Sequence, residues 1–455
     1  MKKPLLPALL LELRLVLHSR LATGAVVLLL LLSALSVWSG LQAVAAQRAA
    51  LERVAASHQA DLASVVKKYA DGADAGSVAY ATPHLTTNPP APLAFAAFGQ
   101  RDVQPFSLRV RLLGLHSQLY ESETINPELA MAGRFDFAFL LVYLAPLFVI
   151  ALMHDLVTGE REAGRLRLLS SLPTGTGGIW RRRVGLRFAL VWLAALLPLA
   201  AGVGIAGAGA AALGQVALVA TLYLAFWFGL AAWVAGRARS SAGSAAILLA
   251  CLVGLTMIVP TAVDAAIARA VPVSKGVELA LAQRQEVHNG WDLPKPLAFE
   301  KFFRNHPEWK DTPPVTGRFH WKWYYAMHQA GDEAVAPQVA QYRASMGARE
   351  DWTARAGLLL ASVNVQVLLH RLAATDLQAQ LAYQERIGGF HTQLRRFFYP
   401  YFFNEQPFGR ADFARMPAYE AVTPEGSLPA GPLAALALLA LLAGVLGMRR
   451  LNRVS

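Results

Sequence analysis

The sequence predicts a mainly α-helical, polytopic membrane protein with six transmembrane helices and two mostly helical extracytoplasmic domains. Three observations predict it. Hydrophobic residues fill 55% of the 455 positions and charged residues only 16%, with a mean hydropathy of +0.37, which is unusual for a water-soluble chain. Long gaps between charged residues recur along the sequence. Lys and Arg gather beside alternate gaps, as they do when they anchor one face of a membrane protein on its cytoplasmic side. The net charge of +12 therefore predicts no nucleic-acid partner, because many of the arginines flank apolar runs instead of forming a basic stripe.

A helix crossing the ~30 Å hydrocarbon core needs about 20 apolar residues, so the gaps locate the spans. Residues 1–20, with Lys2, Lys3, Arg14 and Arg20, read as a cytoplasmic or interfacial segment. Span 1 is placed at residues 21–41, as an uncleaved anchor, because its apolar run exceeds the usual signal core of about 7–15 residues. Residues 42–134 make the first outer domain. It opens with an apolar pattern at Leu51, Val54, Leu62, Val65, Val66 and Tyr69 that continues span 1 outward, then becomes a loop rich in proline. Span 2 is residues 135–153, followed by a cytoplasmic loop over 154–186. The gap from Arg187 to Arg237 holds two spans, 187–206 and 214–235, around a small, Gly-rich turn. Span 5 is 242–263, the second outer domain 264–430, span 6 431–448, and the tail 449–455.

One stretch competes for the count. Ala356 to Leu369 is apolar, but it contains Asn364 and Gln366, is flanked by Arg355 and Arg371, and is too short to span. It reads as a buried or interfacial helix. An even count puts all four arginine-bearing segments on one face, so both termini are expected to be cytoplasmic. Cys251, the single cysteine, lies in an apolar run, so no intrachain disulfide is available and the outer domains must hold by packing.

The loop after span 2 carries the most information. From His154 to Pro173 it reads as a short amphipathic helix: Glu160 and Glu162 in the first turn suit the helix dipole, arginines follow, and Pro173 stops it. Ala163, Leu166 and Leu169 give it an apolar stripe. Such a helix could dock on a cytoplasmic partner, or lie on the membrane surface with none.

Here a resemblance adds to the residues. The stretch from Gly159 to Pro173 resembles the G-E-x-E-x-G-T-L-x-L-L-L-S-x-P signature of ABC-2 type transporter permeases, with Arg165 where threonine is common. Asn126-Pro127, then Gly133-Arg134-Phe135-Asp136 and the Phe-rich span with Pro146, resemble the approach to span 2 in permeases that carry the DUF3526 domain. Leu372-Ala373-Ala374-Thr375-Asp376-Leu377, then Phe390 to Phe398, are similar to the end of that family's outer domain, although a proline often found shortly before is absent from Ser362 to Leu368.

The resemblance implies a role in coupling to an ATPase for Glu160, Arg161, Glu162, Gly164, Leu166, Leu168, Leu169 and Pro173. It implies a bacterial inner-membrane permease that pairs with a second, identical or related permease, above a dimer of cytoplasmic ABC ATPases. ATP and Mg would be bound by that partner, with no cofactor in this chain and no enzyme activity of its own. Membrane lipid and a periplasmic protein complete the expected partners. The residues agree in one respect: no G-x-x-x-x-G-K-[ST] loop occurs, and the nearest stretch, Gly175-Thr176-Gly177-Gly178, lacks the lysine. His288, His306, His320 and His328 fit no metal-ligand spacing. The aromatic run Phe319, Trp321, Trp323, Tyr324 and Tyr325 reads as core or headgroup belt ahead of a ligand groove. The spans hold almost no ionisable residues, so any pathway is expected to be apolar or to lie between subunits.

Overall fold

The computed structural model describes residues 5–69, 72–120, 133–171 and 177–454. Asn126, Pro127 and Pro173 lie outside the described residues. Among the described residues six helices are long and apolar enough to cross a membrane, the number predicted.

Helix α1 (Leu5–His18) leads into α2 (Arg20–Tyr69), the first span. At 50 residues α2 is about 75 Å long, so more than half of it extends past a ~30 Å core. Along that extension lie α3 (Ala75–Ala81), an antiparallel hairpin of β1 (His84–Thr87) and β2 (Ser107–Val110), and α4 (His116–Leu119). Arg109 of β2 pairs with Asp61 of α2 at 2.9 Å and fixes the hairpin to it. The hairpin replaces part of what the prolines suggested was loop, because His84 to Thr87 pairs with a strand beyond the proline cluster.

Span 2 is α5 (Phe137–Phe139), a π-helical turn (Leu140–Leu144) and α6 (Ala145–Met153). Two short helices follow, α7 (Thr158–Glu162) and α8 (Leu166–Ser170). Spans 3 and 4 are α9 (Gly177–Ala206) and α10 (Gly209–Ala235), joined where Gly207 and Gly209 take the left-handed conformation, φ +70° and +82°. Span 5 is α11 (Ser241–Val253), a second π-helical turn (Gly254–Ile258) and α12 (Val259–Ala270). The chain continues as α13 (Gly276–Asp292), α14 (Lys295–Phe303), α15 (Trp321–Gly357), α16 (Ala361–Leu372), α17 (Leu377–Phe403) and α18 (Arg410–Arg415), and α19 (Ala430–Leu451) is span 6.

Spans 2 and 4 form the interior of the bundle, while spans 1, 5 and 6 are mostly exposed. Without a hydrophobic drive between helices in lipid, close packing has to hold them. Between α10 and α19 it does so through glycine: a Cβ on Gly229 would lie 2.4 Å from the Ala443 carbonyl carbon, and one on Gly447 would lie 2.3 Å from the Gly229 oxygen. Ser33 on α2 donates to the Ala195 carbonyl of α9 at 2.7 Å, and Tyr223 on α10 to the Val142 carbonyl in the first π turn at 2.9 Å.

The segment between spans 1 and 2 and the segment between spans 5 and 6 share one hydrophobic core and together make the body. Val78, Val110, Leu115 and Tyr120 from the first pack with Phe302, Tyr325, Tyr383 and Phe398 from the second. The aromatics signalled in the sequence are largely this core: Tyr325 stacks on Phe402 at 4.6 Å and Phe302 on Phe403 at 5.2 Å. A buried ion pair, Asp332 with Arg395 at 2.5 Å, crosses it, and Asp332 also accepts from the Leu115 amide at 2.8 Å. The second of these segments supplies most of that core and the first the rest.

Candidate functional site

The loop after span 2 is where sequence placed the chemistry, and its backbone breaks where a single helix was expected. Gly164 takes φ +72°, a conformation that costs a residue with a Cβ and ends a helix readily. The chain turns there, and α7 and α8 become separate pieces.

Each half has its own attachment. Glu162 accepts from the Ser241 amide at 2.8 Å and its hydroxyl at 2.9 Å, so it holds the first turn of α11. Arg161 donates to the Ala238 carbonyl at 2.7 Å, and Thr158 bonds Ser241 at 2.9 Å. These contacts fix α7 to the turn between spans 4 and 5. Glu160 faces the other way, accepting from Arg183 of α9 at 2.8 Å and from Arg165 at 2.7 Å. Arg183 also reaches Glu12 of α1 at 3.2 Å. One guanidinium, that of Arg183, thus joins the loop, span 3 and the N-terminal helix.

On α8, Leu166 is buried and Leu169 half-buried against the bundle. Leu168 is 71% exposed, next to the exposed Arg167. Of the described residues picked out in sequence, Glu160, Arg161 and Glu162 make internal contacts, and Leu168 is the exposed apolar one. Ala163, expected on the apolar stripe, is exposed because the break rotates it away.

At the far end of span 2 the second and third sequence motifs meet. Asp136 is buried and caps α5: one carboxylate oxygen accepts from the Phe139 amide and the other from the Phe98 amide, both at 2.8 Å. Arg134 pairs with Asp102 at 3.0 Å and lies 4.9 Å over the Phe98 ring, while Phe135 packs edge-on to Phe139. Gly133 is exposed beside them. Thr375 donates from its hydroxyl to the Ala97 carbonyl and accepts from the Gln100 amide, each at 2.8 Å. Gly99 lies against it in a left-handed conformation, where a Cβ would come within 2.5 Å of the Thr375 oxygen. Asp376 caps α17 through the Ala379 amide at 3.3 Å.

Helix α16 leads into this junction and is buried along almost its whole length. Its polar residues are hydrogen-bonded to three spans. Ser362 donates to the Leu255 carbonyl in the second π turn at 2.6 Å, and Gln366 to the Tyr143 hydroxyl in the first at 3.0 Å. Four residues apart, they share a helix face. Asn364 points away from them and donates to the Pro432 carbonyl, at the start of span 6, at 2.9 Å. Both π turns are therefore held by one helix of the body, and such turns concentrate at functional positions. Sequence reasoning placed this stretch as buried or interfacial, but its grip on the π turns has no local signal beyond three polar residues in an apolar run.

The histidines considered as ligands take other partners. His306 meets Glu333 at 2.6 Å, His320 caps α15 by accepting from the Lys322 amide, and His328 accepts from the Gly114 amide at 3.1 Å. His288 is exposed.

Residues 277–421 match the family model for DUF3526, a domain of unknown function. The match runs from α13 past α18 and takes in α16 and the Leu372 to Leu377 motif. No curated protein matches the chain, and neither does any solved structure.

Proposed function

We propose that this chain is the membrane-spanning permease subunit of an ATP-driven ABC-2 type transporter of the bacterial inner membrane. Both termini and the α7–α8 loop face the cytoplasm in this reading, and the body lies outside. The observation that carries it is the construction of the loop: α8 presents the exposed Leu168 beside Arg167, while Glu160, Arg161 and Glu162 fix its neighbour to spans 3 and 5. A push on α8 is thereby passed to two spans. The resemblance of Gly159 to Pro173 to the permease signature and the DUF3526 match support the same reading.

A cytoplasmic ATPase dimer holding ATP and Mg would dock on α8. Nucleotide binding can shift the spans only if the ATPase binds their two arrangements with different affinity. The movement would reach the body through the π turns gripped by α16. A second permease, identical or related, would complete the assembly against the exposed faces of spans 1, 5 or 6, with lipid covering the rest.

The grip of α16 also favours a second reading, in which the body passes force to a periplasmic partner and nothing crosses through these spans. Reconstituted vesicles separate the two: ATP turnover that moves no candidate substrate supports force transmission. The permease reading itself is tested by purifying the native complex. A subunit with a Walker A loop should co-purify, and Leu168→Asp should reduce its ATP turnover at least tenfold. If no such subunit associates, or Leu168→Asp changes nothing, the reading fails. Reversal at Glu162 is a poorer test, because it also uncaps α11 at Ser241.

A further inference from the structure

A pocket of about 740 Å³ opens at the tip of the body, between α14 and the segment that follows it. Its volume is that of a small-molecule site. Phe299 and Phe303, stacked 5.3 Å apart, make one wall, and Pro307, Pro313, Pro314 and Val315 contribute the other. Prolines have no amide proton, so that wall donates almost nothing. The Pro313 carbonyl is already taken by Lys322, which is fully buried and paired with Glu405 at 2.7 Å. Thr312 donates to the Phe403 carbonyl at 2.6 Å. These anchors hold the wall in place, so the pocket is built rather than formed by a ligand.

The charges at its mouth are unbalanced. Lys295, Arg304 and Lys310 line it against a single carboxylate, Glu300, which is paired with Arg304 at 3.0 Å. Lys295 donates to the Gly317 carbonyl and lies 5.2 Å over the Trp323 ring, and Lys310 is exposed beside a space that is otherwise aromatic and aliphatic. Helix α17 starts at the junction with span 2 and is about 40 Å long, and its last residue, Phe403, bonds the pocket wall through Thr312.

We infer that this pocket binds a small amphipathic anion, an acyl or aryl chain ending in a carboxylate, delivered from the aqueous side and not from the membrane. The apolar walls take the chain, and the cations of the rim take the carboxylate. The inference stands apart from the transporter reading.

The test uses the full chain in phosphatidylcholine nanodiscs, with labelled decanoate followed by equilibrium dialysis and empty nanodiscs subtracted. Saturable binding near one decanoate per chain is expected. Lys310→Glu should weaken it at least tenfold and Lys310→Arg should preserve it, since the side chain is exposed and neither change disturbs the core. Val315→Trp should abolish binding by filling the pocket, and decanol should show no saturable component. The inference is overturned if the wild-type chain shows none, if decanol binds as tightly as decanoate, or if Lys310→Glu and Val315→Trp, folded by thermal unfolding, bind like wild type.

Discussion

Asp136 illustrates what a single side chain does here and how little of it a sequence can announce. That an aspartate before a Phe-rich run would cap a helix follows from local pattern, and its first oxygen does accept from Phe139. Its second partner, the Phe98 amide, lies 38 residues back, and no periodicity links the two. Asp136→Ala would leave two buried amides without an acceptor, each costing about 1–3 kcal/mol. Unfolding in nanodiscs should show the alanine variant least stable, Asp136→Asn between it and wild type, and equal midpoints would contradict the assigned bonds. Gly164 makes the same point about the loop. Glycine was visible in the motif, but the alternation of Glu and Arg suited a continuous helix, and only the left-handed backbone at φ +72° separates α7 from α8. Gly164→Val should therefore straighten or strain the turn and reduce ATPase association, measured by co-purification, while leaving the fold of the body unchanged.

Among elements, α16 bonds three spans at once. Its length and composition argued against a span, and its burial between spans is consistent with that. What escaped the sequence was its role as a brace, since hydrogen bonds to Leu255, Pro432 and Tyr143 depend on tertiary approach and not on spacing. Gln366→Leu removes the bond to the first π turn without touching α8. The ATPase should then associate as with wild type, but the ATP-induced change in distance between spin labels on α16 and α8 should shrink. An unchanged distance response would show that α16 is packing only. Span packing uses small residues to bring helices close: Gly229 against Gly447 is such a contact, and a Cβ on Gly202 of α9 would come within 2.5 Å of Val37 on α2. Gly229→Leu should cost at least the ~1–3 kcal/mol of an overpacked core, visible as a lower unfolding midpoint.

For the molecule as a whole, six spans were legible because hydropathy and charge are summed over long windows, whereas one shared body was not, because its core joins residues some 200 positions apart. That body carries a pH dependence. Burial lowers His84 and His391 to about 3 and His328 to about 4, from 6.5. The unfolded chain therefore binds these protons first, and stability falls as pH drops below 6.5 toward the folded values. At pH 5 the loss is roughly 2 kcal/mol for each histidine, at about 1.36 kcal/mol per unit. His306, raised by its bond to Glu333, opposes this as a single group, since its contribution is present in acid and lost as pH rises. Burial would raise Asp332, but Arg395 and neighbouring histidines hold it below the usual carboxylate range, so it adds a loss only in stronger acid. The unfolding midpoint should thus fall between pH 7 and 5, and His84→Phe, among Phe390 and Phe398, should flatten the slope; an identical slope would refute the assignment. The central claim is that α8 meets an ATPase, and a photo-reactive benzoylphenylalanine in place of Leu168 tests it most directly. Irradiated in intact cells, it should cross-link to a subunit with a Walker A loop and lose that adduct in cells lacking the subunit; adducts to lipid alone, or none, would contradict the account.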